Sequence, residues 1–97
     1  MKPFRWNPEK NESLNAERGV SFEQMVVAIE SDGLLDILAH PNQARYPRQR
    51  VFVVCADHYA YLVPFVEEDD YFFLKTIIPS RKATRDYLNA GEPDAED

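Results

Sequence analysis

The chain of 97 residues has one cysteine, three glycines, two histidines and no long apolar run. With Cys55 alone, an internal disulfide is excluded, and its apolar neighbours make it a core residue. One cysteine with His40 and His58 gives no zinc-ligand spacing. Gly19, Gly33 and Gly91 are too few and too scattered for a phosphate loop or a dinucleotide fingerprint. Neither a metal nor an organic cofactor is expected. No apolar stretch approaches the roughly 20 residues that span a bilayer. The first ten residues lack the apolar core of a secretory signal. A cytoplasmic chain that makes no use of a membrane is the resulting expectation.

What the chain has in excess is acid. Its formal net charge is -6, but the acids are unevenly spread. Glu67, Glu68, Asp69 and Asp70 form one run, and Glu92, Asp94, Glu96 and Asp97 crowd the end. Without those eight, nine acids face eleven bases. Local charge decides where an anion settles. The basic stretches at 45–50 and 75–85 are therefore candidates for contact with phosphate.

Hydrophobic residues make up 44% of the chain, an ordinary value for a globular protein. Phe4-Arg5-Trp6 suits a short strand. Asn7 and Pro8 then start a helix that stops at Gly19. Ser21 with Gln24 matches the capping-box spacing for a second helix. Phe22, Met25, Val26 and Ile29 form its apolar face, and Gly33 ends it. Residues 34–38 are a strand or an extended lead-in. Residues 51–55 and 59–66 read as strands joined by a hairpin turn at Asp57-His58. Pro64 argues for an edge or a bulge. After an acidic turn, residues 71–78 form another strand, and Ser80 caps a short helix. The fold class is α+β: two N-terminal helices packed on an antiparallel sheet of three to four strands, with a short C-terminal basic helix. Residues 1–90 make one domain, and 91–97 an acidic disordered tail.

Two patches carry candidate chemistry. Arg81 and Arg85 share a helix face one turn apart, beside Lys82. Arginine grips phosphate through paired donors; equally, these bases belong to a solvated helix that pairs with Asp86 or the tail. Arg45, Arg48 and Arg50 alternate with Tyr46 and Pro47 in a loop. Such a loop can hold a nucleic-acid backbone and stack a base, or simply lead polar chain into a strand.

Two segments together resemble the BrnT family of type II toxins, small bacterial ribonuclease toxins with a RelE-like fold. The first runs Phe4-Arg5-Trp6-Asn7-Pro8-Glu9-Lys10-Asn11, continuing through Leu14 to Arg18-Gly19-Val20-Ser21-Phe22-Glu23. The second is Ile77-Ile78-Pro79-Ser80-Arg81-Lys82-Ala83-Thr84-Arg85-Asp86-Tyr87. Where family members read Lys/Arg-His-Gly, this chain has Glu17-Arg18-Gly19. The resemblance implies metal-independent RNA cleavage, in which a 2′-hydroxyl attacks the adjacent phosphate. It places Glu23 or His40 as the base, Arg81 and Lys10 as charge stabilisers, and Arg45, Arg48, Lys82 and Arg85 on the RNA backbone. It also implies a ribbon-helix-helix antitoxin as partner, in a heterotetramer, or a homodimer of the toxin itself. The missing histidine and the acidic tail favour the alternative, a non-catalytic protein-binding module with the same fold.

Overall fold

The computed structural model describes residues 1–89; the acidic tail expected at 91–97 lies outside the described residues. The chain opens on β1 (Phe4–Trp6), followed by α1 (Pro8–Arg18) and α2 (Phe22–Glu30). Four strands come next: β2 (Leu34–Ala39), β3 (Gln49–Ala56), β4 (Tyr59–Glu67) and β5 (Phe72–Leu74). The short β6 (Ile78–Pro79) then leads into α3 (Arg81–Ala83), which continues as one π-helical turn over Thr84–Leu88.

Each helix starts where its capping residue satisfies amides that have no partner inside the helix. Asn7 Oδ1 accepts from the N–H groups of Glu9 and Lys10 at 2.8 and 3.1 Å. Ser21 Oγ accepts from Gln24 N–H at 3.1 Å. Helix α1 ends on Gly19, whose φ of 69° lies in the left-handed region that glycine enters without penalty. It buries only Leu14, whereas α2 buries Phe22, Met25 and Ile29. Each such side chain contributes roughly 1.5–3 kcal/mol when fully withdrawn from water, so α2 anchors the helical layer.

The α+β layering is as the sequence implies, with a sheet that is wider and mixed. The strand order is β1-β5-β4-β3-β2, with β6 also on β4. β1 runs parallel to β5, while the remaining pairs are antiparallel. The third long strand expected at 71–78 is two short ones, β5 and β6, one after the other along the same edge of β4. Pro64 explains the break. It lies inside a central strand, opposite Val51 of β3. Its carbonyl faces the β5 side and accepts from Lys75 N–H at 2.8 Å. A strand residue points its N–H and C=O to the same side, so the donor Pro64 lacks falls between β5 and β6.

Alternation along β3 and β4 builds a core on each face. Phe52, Val54, Val63 and Phe65 pack beneath α1 and α2 with Phe72, Leu74 and Ile77. Phe52 and Phe65 stack with ring centroids 3.9 Å apart. On the opposite face Val53 and Ala60 pack against Ala83, with Leu35, Leu62 and Leu88 around them. Thr84 fixes α3 there: its Oγ1 accepts from Ala60 N–H at 2.9 Å and donates to the Ser80 carbonyl at 2.8 Å. The acidic run at 67–70 is only partly a solvated turn. Glu67 ends β4, where Lys2 meets its Oε2 at 2.9 Å and Arg50 its Oε1.

Candidate functional site

The residues singled out for RNA chemistry are spread over the molecule. Lys10 and Glu23 stand in the first turns of α1 and α2, on the helical side of the sheet. Arg81, Lys82 and Arg85 belong to the α3 segment, which packs on the opposite face. The sheet lies between the two groups. His40 sits just past β2, where its ring packs 4.6 Å from that of Tyr46. Its Nδ1 accepts the Asn42 N–H at 2.9 Å. Arg45 in the same loop lies over the Tyr46 ring, 5.5 Å from its centroid.

Most of these charges already have partners within the chain. Asn11 Nδ2 donates to Glu23 Oε1 at 2.7 Å, while Asn11 Oδ1 accepts the Phe22 N–H at 2.8 Å. The Asn11 bond holds the Glu23 carboxyl below its ordinary pKa, which keeps it ionised and makes it a weaker proton acceptor. Arg48 donates to the Glu67 carbonyl at 2.6 Å and to Asp69 at 3.1 Å, and the Asp69 bond raises its pKa. Lys82 pairs with Asp86 at 2.5 Å one helical turn on, and Asp86 also lies 3.5 Å from Arg85. Arg81 has no ion pair among the described residues.

Among the described residues, two hollows stand out on the surface. The larger, of about 710 Å³, lies between the end of α2 and the β3–β4 turn. Val27, Leu35, Cys55 and Leu88 form its apolar lining, with Gln24, Asp32, Asp57 and His58 around it. Val27 is 67% exposed, the most exposed large apolar side chain after Met1 among the described residues. Cys55, expected in the core, is half-buried in this groove. Two residues on from Val53 in β3, it points to the same face as Val53 and so away from the large core. The smaller hollow, of about 240 Å³, lies between α3 and the open part of the sheet, beside Leu38 and Tyr87. Tyr87 donates there to Asp36 Oδ2 at 2.6 Å. That bond lowers the Asp36 pKa and raises that of Tyr87.

No sequence motif marks the large groove, yet one signal is present. Residues 25–29, Met-Val-Val-Ala-Ile, are apolar on every side. An amphipathic surface helix needs only one apolar stripe. Val27 is the surplus.

Among the described residues no group of three or more His, Cys, Asp or Glu side chains could hold a metal ion. No helix there is long and apolar enough to cross a membrane. Comparison with protein-family models, curated proteins and solved structures finds no match to the chain.

Proposed function

We propose that this chain is a non-catalytic protein-binding module. One observation carries the reading: Glu23 and Lys10 are on one side of the sheet and Arg81 on the other. Proton transfer and phosphate stabilisation need their groups within hydrogen-bond reach of the same few reacting atoms. Glu23 is also committed to Asn11. What the surface offers is an apolar groove between the end of α2 and the β3–β4 turn, a form suited to receiving another protein.

A second reading keeps the BrnT resemblance: a toxin endoribonuclease that inhibits translation and is held by a ribbon-helix-helix antitoxin. Arg81 favours it, being exposed, without an ion pair among the described residues, and in the segment where the resemblance expects a phosphate-binding cation. A toxin–antitoxin heterotetramer and a homodimer belong to this second reading.

The two separate in one experiment. The chain is expressed alone under tight induction, with growth followed and total RNA run on a gel. The binding module predicts normal growth, intact RNA and soluble folded protein. Growth arrest with RNA loss, abolished by Arg81→Ala with Arg85→Ala, would overturn it in favour of the toxin.

A further inference from the structure

We propose that the groove between the end of α2 and the β3–β4 turn receives a short apolar segment of a partner protein that carries a lysine or arginine. The inference rests on the binding-module reading and names the chemistry of the partner.

The groove lining is largely apolar. Val27 stands on an otherwise well-packed helix, with its side chain largely in water. Leu35 and Leu88 reach the same hollow from β2 and from the turn that continues α3. Water released from such a concave apolar surface drives association.

Three features of charge then choose the occupant. Asp32 and Asp57 border the groove from opposite sides, one after α2 and one in the β3–β4 turn. Among the described residues that line it, none is lysine or arginine. The carbonyl end of α2 carries the negative pole of that helix, and no basic residue stands in its last turn to offset it. The two carboxylates and the helix pole attract a cation and repel an acid, and no base in the lining offsets them. The chain's own segment after Asn89 is thereby disfavoured, since it carries Glu92, Asp94, Glu96 and Asp97 and no base. A second copy with net charge -6 is a poorer match than a basic partner.

The test is a titration of the full ¹⁵N-labelled chain, followed by amide shifts. The probe is an eight-residue peptide of leucine and alanine with two lysines, blocked at both ends. The control has two glutamates in place of the lysines. Saturable shifts are expected at Val27, Gly33, Asp57 and His58 with the lysine peptide, and at least tenfold weaker binding with the glutamate peptide. Val27→Gln, an exposed change compatible with the helix, should weaken the lysine peptide at least fivefold. Asp32→Asn with Asp57→Asn should narrow the gap between the two peptides to about twofold.

Equal binding of both peptides, no saturable shift, or shifts confined to the Leu38–Tyr87 surface would overturn the groove assignment. So would sedimentation showing a dimer that Val27→Gln dissolves, since the occupant would then be a second copy. None of these results produces RNA loss on induction. Failure of the groove is thus distinguishable from failure of the binding-module reading.

Discussion

Gly33 has backbone oxygen where a side chain would go. A Cβ there would lie 2.5 Å from the Cys55 carbonyl oxygen and 2.8 Å from that of Ala28. Gly33 is itself hydrogen-bonded to both residues: Ala28 O accepts from Gly33 N–H at 2.7 Å, and Cys55 N–H donates to Gly33 O at 2.7 Å. Gly33→Ala must push α2 away from β3, at a cost of about 1–3 kcal/mol or more. Gly19 is different. A Cβ there meets nothing within 4 Å, so Gly19→Ala costs only the left-handed backbone, about 1–2 kcal/mol. Urea denaturation should rank Gly33→Ala as the more damaging; the reverse order would refute the close approach. The sequence marks both glycines as helix stops and cannot separate them, because the oxygen crowding Gly33 comes from a strand 22 residues further on. Asn11 teaches the same lesson. It looks like a solvated helix residue, yet it joins α1 to α2 through Phe22 N–H and Glu23. Asn11→Ala leaves the Phe22 amide without its acceptor and should lower stability by about 1–2 kcal/mol in the same assay.

Elements with strong local signals were legible, and those fixed by pairing were not. Both long helices follow from Asn7, Pro8, Ser21 and Gln24. The Asp57-His58 turn follows from its polar pair between two β-rich runs. The parallel placement of β1 beside β5 has no local signal, since Phe4 and Phe72 meet only after 68 residues of chain. The turn itself invites a test. Asp57 and His58 have φ of 55° and 63°, the pattern of a tight hairpin that Asn-Gly fits best. Replacing the pair by Asn-Gly should raise stability by about 1 kcal/mol. An unchanged or lower denaturation midpoint would contradict that strain. The last helix offers a pH test through the Tyr87–Asp36 bond. Asp36 has a lowered folded pKa, so its contribution is present above the unfolded value of about 3.9 and fades as pH falls through the folded value. Tyr87 has a raised folded pKa, so its contribution is full below the unfolded value of about 10 and fades as pH rises through the folded one. The stability gap between the wild-type chain and Tyr87→Phe should be widest between about pH 5 and 9 and shrink on both sides. A gap independent of pH would remove this bond from the attachment of the helix.

Across the whole molecule, the sheet is both the core and the divider. The sequence displays acids, bases and aromatics without saying which face each will occupy. Lys10 and Arg81 therefore look equally available to one phosphate until the strands are paired. The same division sets an order of stability. β3 and β4 share an eight-residue register and carry buried side chains on both faces: Phe52, Val54 and Val63 on one, Val53 and Ala60 on the other. β6 has two exposed residues, and the turn at Thr84–Leu88 buries none fully. Local opening costs least where few apolar contacts break. Amides at 52–54 and 63 should exchange with solvent at the rate set by global unfolding, and those at 85–89 at least a hundredfold faster. Leu88 belongs to this fast segment and forms one wall of the large groove. An occupied groove should therefore slow exchange at 85–89 while leaving 52–54 on the global limit. Uniform slow exchange throughout the free chain would mean that the last helix and the sheet open as one unit, and the groove would then have no separately yielding wall.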